Sequence, residues 1–146
     1  MKDNIILTGF MGSGKTSVGI RLSYRMKRTM IDTDKWIEQR QKMSVSEIFA
    51  AYGESAFREM ETDCLKALIE TADKQIISVG GGLPVREENH RLLKQLGRVF
   101  YLKVSPEVVY ERLKDDKTRP LLQVENPLDQ ISGLMSARSP IYEACA

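Results

Sequence analysis

Short apolar runs alternate with longer stretches of helical periodicity along the 146 residues of this chain. Two runs, NIILT (4–8) and QIISV (75–79), are almost continuously apolar, which is typical of parallel strands that are covered on both faces. Two further runs, 29–32 and 98–104, also predict strands. Because helical patterns separate the strands, the sequence predicts an α/β fold, a three-layer αβα sandwich with a central parallel sheet.

The helical stretches carry signals for where they begin and end. Ser44 and Glu47 have the spacing of a capping box, and Gly53 predicts a stop. The residue pairs 105–106 and 126–127 each combine an N-cap with a proline for the first turn. The predicted helices are 15–26, 34–41, 44–51, 54–71, 87–96, 106–114 and 127–138.

The segment DDKTRPLLQVEN (115–126) has no clear periodicity. A loop of this length in a compact domain is more often functional or mobile than idle. No repeat or linker divides the chain, so we predict a single domain, 1–146, with a mobile lid at about 112–125.

Composition narrows the class of protein only slightly. Hydrophobic residues make up 42% and charged residues 29% of the chain, as in ordinary globular proteins. The net charge of +2 gives no argument for a nucleic-acid or membrane-surface partner, and no window approaches the roughly 18 apolar residues of a membrane span. Cys64 and Cys145 lack metal-ligand spacing and are predicted to be free thiols. We therefore expect a cytoplasmic protein.

The stretch GFMGSGKT (9–16) matches the phosphate-loop pattern G-x-x-x-x-G-K-[ST], between a predicted strand and a predicted helix. Its glycines let backbone N–H groups converge on phosphate oxygens, and the next helix directs its positive end there. Lys15 is predicted to reach the β- and γ-phosphates, and the Thr16 hydroxyl to ligate Mg²⁺. The predicted nucleotide-binding residues in this stretch are Gly12, Ser13, Gly14, Lys15, Thr16 and Ser17.

The motifs that are absent, and the position of two aspartates, indicate which class of phosphate-loop protein this is. Neither the N-K-x-D nor the D-x-x-G string of GTPases occurs, and the chain is too short for a motor core. The carboxylates are Asp32 and Asp34, which would project to the same side of an extended segment. One could steady the water shell of Mg²⁺ while the other orients or deprotonates an acceptor hydroxyl, which favours a small kinase. Alternatively, Asp34 is simply the N-cap of the next helix.

Glycines and arginines suggest the acceptor. Gly80, Gly81 and Gly82 follow a predicted strand at the sheet edge where ligands bind, although a flexible turn is the alternative. Arg58 and Arg138 are suited to bidentate capture of a carboxylate. Arg119 could close over the nucleotide and offset charge in the transition state. Each arginine taken alone is more typical of a solvated surface residue.

Taken in order, these features resemble the shikimate kinases over almost the whole chain. The features are GFMGSGKT, the two aspartates, F-R-E at 57–59, V-G-G-G at 79–82, T-R-P-L-L at 118–122 and R-x-x-x-Y at 138–142. The resemblance implies ATP-dependent phosphorylation of the shikimate 3-hydroxyl, in the route to chorismate and the aromatic amino acids. It also implies a nucleoside-monophosphate-kinase-like fold, ATP and Mg²⁺ as cofactors, and a lid over the nucleotide. We expect a monomer, since no oligomer interface is indicated.

The resemblance also implies residue roles. Lys15 and Thr16 would serve ATP and Mg²⁺, with Asp32 and Ser78 in the water shell of the metal. Asp34 would hold the reacting hydroxyl or act as its base. The residues that would bind shikimate are Asp34, Phe57, Arg58, Gly80, Gly81, Gly82 and Arg138, and Arg119 would descend onto the phosphates.

One departure from the family pattern concerns the end of the chain. The resemblance implies a fifth sheet strand, an adenine-contacting loop and a last helix after 138–142, and the final strand is apparently missing from this chain. The expectation is a shortened or incomplete sequence. Two alternatives stay open: a related kinase for another polyol acid such as gluconate, or a nucleotide-binding module made inactive by truncation.

Overall fold

A computed structural model describes residues 2–115 and 124–146 of the chain. Within these residues a four-stranded sheet has the strand order β2-β3-β1-β4, and every neighbouring pair is parallel. The strands are β1 (Ile5–Thr8), β2 (Met30–Asp32), β3 (Ile76–Ser78) and β4 (Arg98–Tyr101). All four predicted strands are confirmed, although β4 ends before the predicted residue 104.

Six helices and one short 3-10 turn surround the sheet in the described residues. The helices are α1 (Lys15–Met26), α2 (Thr33–Gln41), α3 (Val45–Thr71), α4 (Glu87–Leu96), α5 (Pro106–Leu113) and α6 (Pro127–Cys145). The 3-10 turn spans Leu83–Val85. None of these helices is both long and apolar enough to cross a bilayer.

The helices cover both faces of the sheet. Ile6 and Leu7 point to opposite faces because side chains alternate along a strand. On the Leu7 face α1 packs closely, and a methyl group at Gly19 would lie 3.5 Å from Leu7 Cδ1. On the other face Ile6 joins a buried cluster with Leu65 of α3 and Leu93 of α4. The predicted three-layer arrangement is therefore confirmed.

A second buried cluster joins α5 and α6 to the residues that follow β1. It consists of Phe10, Val109, Leu113, Ile131, Met135 and Tyr142. Both cysteines are free thiols, as predicted, and both are buried. Burial raises the pKa of Cys64 to about 12 and that of Cys145 to about 11.

Helix α6 extends well beyond its predicted end, whereas the predicted break at Gly53 in α3 is confirmed. The predicted helices 44–51 and 54–71 form one element, α3, which is interrupted only at Gly53 (φ 87°, ψ 170°). The predicted capping box is confirmed, because Ser44 Oγ accepts from the Glu47 N–H at 3.1 Å and Glu47 Oε1 accepts from the Ser44 N–H at 3.1 Å. Helix α6 runs beyond Arg138 to Cys145 and passes through Pro140, since its last turns bury Tyr142 and Cys145.

The strand register brings three chain segments to one edge of the sheet. Asp32 pairs with Ser78, and Ser78 in turn lies opposite Leu7 of β1. The carboxyl ends of β1, β2 and β3 therefore finish at the same level. The segments that leave this edge are the phosphate loop (residues 9–16), the acidic segment that opens α2, and the glycine loop (Gly80, Gly81 and Gly82).

Candidate active site

A cavity of about 640 Å³ lies at this edge of the sheet. The phosphate loop and the first turn of α1 form one wall, and Asp32, Asp34, Ser78, Gly80 and Gly81 form another. The fold thus brings the predicted nucleotide-binding residues and part of the predicted acceptor site to a single concave surface, at the position where open parallel sheets bind ligands.

The phosphate loop has the backbone conformation that its glycines permit. Gly12 (φ 76°) and Gly14 (φ 99°) lie in the left-handed region, which side chains rarely enter. Gly14 is also the N-cap of α1 and supplies no side-chain hydrogen bond to the first turn. A helix whose first N–H groups lack a side-chain cap presents those groups and its positive dipole end to an anion. Thr16 and Ser17 line the cavity at this turn.

Lys15 lies across the inside of the phosphate loop. Its Nζ donates hydrogen bonds to the carbonyl oxygens of Gly9, at 2.6 Å, and Phe10, at 3.1 Å. The backbone at the start of the loop therefore holds the ammonium group.

Sequence reasoning missed Arg112 as a neighbour of the phosphate loop. This residue of α5 donates a hydrogen bond from Nη1 to the Gly12 carbonyl at 2.6 Å, and it lines the cavity. Leu113 packs against the same glycine, since a methyl group at Gly12 would lie 3.2 Å from Leu113 Cγ. No sequence signal separates Arg112 from other exposed arginines, because its role depends on how α5 docks.

The acidic segment folds differently from its prediction. Helix α2 begins at Thr33, so the expected extended conformation ends at Asp32. Asp32 is the N-cap, and its Oδ1 accepts from the backbone N–H groups of Asp34 at 2.9 Å and Lys35 at 3.2 Å. The alternative that made Asp34 the cap is therefore wrong. Both carboxylates still line the same cavity.

Thr33, between the two aspartates, was not singled out in the sequence. Its side chain is fully buried, and its Oγ1 accepts a hydrogen bond from the Gly80 N–H at 3.1 Å. This bond ties the start of α2 to the glycine loop and so fixes the position of Asp34 relative to that loop.

Asp34 has the environment of a ligand-binding carboxylate. Its Oδ1 is buried without a hydrogen-bond partner among the described residues, and a methyl group at Gly80 would approach this oxygen to 2.8 Å. Burial raises the pKa of Asp34, the charge of Asp32 adds to the rise, and Lys15 opposes it. A buried acceptor atom without a partner is costly, so this oxygen is suited to a hydroxyl group of a ligand.

Glu61 is a second residue that sequence reasoning missed. Its side chain is 1% exposed, and its Oε1 lies 2.6 Å from Arg58 Nη1. Burial raises the pKa of Glu61 to about 7, while Arg58 opposes the rise through a hydrogen bond and its charge. The i, i+3 spacing on α3 was a usable signal for this pair. The more exposed Glu54 contacts Arg58 Nη2 at 3.3 Å.

The glycine loop lies between the helices that carry the two predicted clamp arginines. A methyl group at Gly82 would lie 2.5 Å from Arg58 Nη2, so the guanidinium rests directly on this glycine. From α6, the Tyr142 hydroxyl donates to the Gly81 carbonyl at 2.6 Å, and Arg138 lies one helical turn before it. The guanidinium carbon of Arg138 lies 5.8 Å from the ring centroid of Phe10, and the charges of Arg58 and Arg138 both lower the pKa of Glu61.

Other predicted site residues stand apart from the main cavity. Of the described residues that were predicted to bind the acceptor, Phe57, Arg58, Gly82 and Arg138 are not among those that line it. Phe57 is buried, and its ring centroid lies 5.0 Å from that of Phe49. Arg119 and most of the predicted lid lie outside the described residues.

A glycine-rich phosphate loop between a strand and a helix, facing carboxylates at the carboxyl edge of a parallel sheet, defines a P-loop kinase. A family model described as shikimate kinase matches residues 11–146. This chain belongs to the shikimate kinase family.

Individual relatives agree with the family match. The chain is 46% identical to a shikimate kinase of Thermodesulfovibrio yellowstonii over 140 residues, which cover 96% of this chain and 80% of that protein. It is 43% identical to one of Dechloromonas aromatica, covering 98% of this chain and 78% of that protein. Both relatives thus cover nearly all of this chain.

Solved structures give the same fold. A structure of a shikimate kinase from Acinetobacter baumannii in complex with shikimate superposes with a TM-score of 0.91 at 38% identity, covering all of this chain and 81% of that one. A shikimate kinase from Aquifex aeolicus gives 0.82 at 40% identity, covering 96% and 82%. The resemblance and the nucleoside-monophosphate-kinase-like fold expected from the sequence are confirmed.

Proposed function

We propose that this chain transfers the γ-phosphoryl group of ATP to the 3-hydroxyl of shikimate, giving shikimate 3-phosphate and ADP, in chorismate and aromatic amino-acid biosynthesis. Membership of the shikimate kinase family supports the reaction, and the shikimate bound to the Acinetobacter baumannii relative supports the acceptor. Within this chain, one observation carries the proposal. Asp34 Oδ1 is a buried oxygen without a partner in the described residues, in a cavity that it shares with the phosphate loop.

On the nucleotide side, the backbone of the phosphate loop and the start of α1 hold the phosphates. Gly12, Ser13 and Gly14 supply the loop, while Thr16 and Ser17 lie in the first helical turn. Lys15 would exchange its hydrogen bonds to the Gly9 and Phe10 carbonyl oxygens for bonds to the β- and γ-phosphate oxygens. Its charge then offsets the negative charge of the transferring group.

The proposed cofactor is Mg²⁺, and the donor set fits it. The described residues contain no group of three or more His, Cys, Asp or Glu side chains that could hold a metal ion by themselves. Mg²⁺ does not require such a group, because it commonly binds through few protein ligands together with waters and substrate phosphates. Thr16 would ligate the ion through its hydroxyl, with Asp32 and Ser78 in its water shell. Both cap bonds of Asp32 go to Oδ1, which leaves Oδ2 for water. When bound, the ion neutralises phosphate charge.

On the acceptor side, Asp34 receives the hydroxyl proton. The acceptor oxygen forms a bond to the γ-phosphorus as the bond from that phosphorus to the bridging oxygen breaks, and ADP leaves with the electron pair. The proton moves to Asp34 Oδ1. Burial makes Asp34 a better proton acceptor than an exposed carboxylate, because it raises the pKa of this residue.

The proposed carboxylate clamp consists of Arg58 and Arg138. Glu61 holds one edge of the Arg58 guanidinium at 2.6 Å, whereas the partly exposed contact of Nη2 with Glu54 is easily exchanged for a substrate carboxylate. The glycine loop provides backbone groups beside this clamp, and Phe57 supports Arg58 with its ring centroid 5.6 Å from the guanidinium carbon.

Further parts of the proposal rest on the sequence. Arg119 would descend with the lid at about 112–125 onto the phosphates, within a single domain. The net charge of +2 gives no argument for a nucleic-acid or membrane partner. A cytoplasmic monomer is part of the proposal, because the cysteines are free thiols and the sequence indicates no oligomer interface.

Release of ADP in a coupled assay tests the proposal, with shikimate as acceptor and gluconate as the comparison. We expect shikimate-dependent turnover and at least about a hundredfold lower kcat for Asp34→Asn, because the buried proton acceptor is lost, with KM for ATP within about twofold. The matched control is Asp63→Asn, at an exposed position on α3. Wild-type protein that turns over gluconate but not shikimate, or binds ATP and turns over neither, would contradict the proposal.

A further inference from the structure

Tyr142 makes a long-range contact that the proposed chemistry does not use. Its hydroxyl donates a hydrogen bond to the Gly81 carbonyl oxygen at 2.6 Å, across 61 residues of sequence. The residue is 1% exposed and lies near the end of α6. A phenylalanine would fill the same apolar space, so what the hydroxyl adds to packing is this hydrogen bond.

The surroundings hold the Tyr142 ring in place. It packs in the buried cluster with Phe10 and Met135, and its ring centroid lies 5.1 Å from that of Tyr101. Burial raises the pKa of Tyr142, against an opposing effect of the Arg138 charge and a hydrogen bond with that side chain. The phenol therefore stays protonated at neutral pH and acts as a donor to the glycine loop.

Fixing the Gly81 carbonyl also fixes the next N–H group. No cis peptide bond occurs in the described residues, and in a trans peptide the N–H of Gly82 points opposite to the C=O of Gly81. The Leu83 N–H donates to the Gly80 carbonyl oxygen at 3.1 Å, which closes a turn around this peptide, but glycines allow the central peptide of such a turn to take more than one orientation. The bond from Tyr142 therefore directs the Gly82 N–H away from α6.

Other side chains form hydrogen bonds with the backbone groups before and after this peptide. The Gly80 N–H donates to Thr33 Oγ1 at 3.1 Å, and the Leu83 carbonyl accepts from Asn89 Nδ2 at 2.9 Å. Among the described residues, Tyr142 is thus the side chain that hydrogen-bonds the peptide between Gly81 and Gly82. Tyr142 also lies on the same helix as Arg138, one turn after it, so its hydrogen bond connects the glycine loop to that helix.

We propose that Tyr142 is a positioning residue for the acceptor: its hydroxyl orients the Gly81–Gly82 peptide and holds the glycine loop in register with Arg138. The inference rests on the acceptor site proposed above. It assigns Tyr142 an effect on acceptor binding and none on nucleotide binding, because its bond reaches the glycine loop and not the phosphate loop.

Steady-state kinetics of Tyr142→Phe test this assignment. Removing one hydroxyl that bonds a buried carbonyl should raise KM for shikimate about five- to tenfold, with KM for ATP within about twofold. The matched control is Tyr101→Phe, which also loses a hydroxyl bond to α6, to Ser139 Oγ at 3.0 Å, and whose ring lies beside that of Tyr142 at a tilt of 40°. The control should leave both KM values within about twofold.

Hydrogen exchange gives a readout that does not depend on turnover. Without ligands, a peptide covering residues 78–86 should exchange its amides several-fold faster in Tyr142→Phe than in wild type or Tyr101→Phe. Equal exchange in all three proteins, an unchanged KM for shikimate, or an equal rise in KM for ATP would each overturn the inference. Wild-type protein without shikimate turnover would overturn the proposed function, while the exchange comparison would still decide whether Tyr142 orients the loop.

Discussion

The proposed phosphate-binding half of the site comes from one stretch of the chain, residues 9–17, whereas the proposed acceptor half is assembled from α2, α3, α6 and the glycine loop. The first half works mainly through backbone groups, arranged by Gly12 and Gly14 at positive φ. The second half works through side chains that touch only after folding, such as Arg58 against Gly82. A site made from backbone is therefore encoded locally, and a site made from side chains depends on packing.

The halves also differ in how they treat charge. The phosphate half presents helix N–H groups and one lysine to an anion. The acceptor half buries ionisable groups, and burial raises the pKa values of Asp34, Glu61 and Tyr142. If the two halves bind their ligands independently, substitutions in one half should leave ligand binding in the other largely intact.

The largest effect is expected from removing the charge in the phosphate half. Lys15→Met should lower kcat by at least about a thousandfold, because the cation that neutralises the transferring phosphoryl group is lost. Binding of shikimate, measured by calorimetry, should stay within about threefold of wild type. The matched control is Lys66→Met, at an exposed position on α3. Loss of shikimate binding together with turnover would contradict the separation of the halves.

A smaller effect, on stability, is expected from the buried carboxyl of the acceptor half. The pKa of Glu61 is raised from 4.5 to about 7, so the folded protein holds this proton where the unfolded chain has released it. The contribution of Glu61 to stability is complete below pH 4.5 and is lost as pH rises through about 7. As pH rises from 4.5 to about 7, the unfolding free energy of Glu61→Gln should therefore increase by up to about 3 kcal/mol relative to that of wild type.

Urea denaturation between pH 4.5 and 7.5 measures this difference. The control is Glu59→Gln, because the hydrogen bond from Arg86 lowers the pKa of the exposed Glu59 below 4.5, so the stability difference between this variant and wild type should stay nearly constant over this pH range. Parallel pH profiles for wild type and Glu61→Gln would contradict the assignment of a raised pKa.

The smallest effect should distinguish two glycines by backbone conformation alone. A methyl group at Gly53 or Gly133 would meet no atom within 4 Å, but only Gly53 has positive φ. Gly53→Ala should destabilise the protein by about 1–3 kcal/mol. Gly133→Ala, inside α6, should stabilise it by about 0.5–1 kcal/mol. Urea denaturation measures both.

Gly53 also lies five residues before Arg58 on α3, so its replacement should raise KM for shikimate and leave KM for ATP unchanged. Equal stability of the two alanine variants would show that the α3 break is not imposed by Gly53.

Much of the fold followed from the sequence, because strand patterns and caps are local. The four strands, the capping box at Ser44 and the phosphate loop were predicted correctly. Gly53 was predicted to separate two helices, and its non-helical φ of 87° and ψ of 170° confirm the break. Helix α6, in contrast, continues past its predicted end at Arg138, because Tyr142 is buried in its last turns.

The site was predicted less completely, and the omissions share one cause. Thr33, Glu61 and Arg112 gain their roles from partners that only the fold brings near, namely Gly80, Arg58 and Gly12. Spacing on α3 could have suggested Glu61, but nothing in the sequence identifies the other two. The roles of Asp34, Arg119 and Arg138 stay predictions for the experiments above.

The two buried cysteines make the chain suitable for site-specific labelling. Cys64 and Cys145 are covered and have raised pKa values, so little thiolate is available to react with a maleimide at neutral pH. A cysteine introduced at exposed Tyr24 of α1 and another at exposed Tyr52 of α3 would carry a pair of fluorophores with little background. Energy transfer between them would then report, in solution, whether the two halves of the site approach each other when nucleotide and acceptor bind.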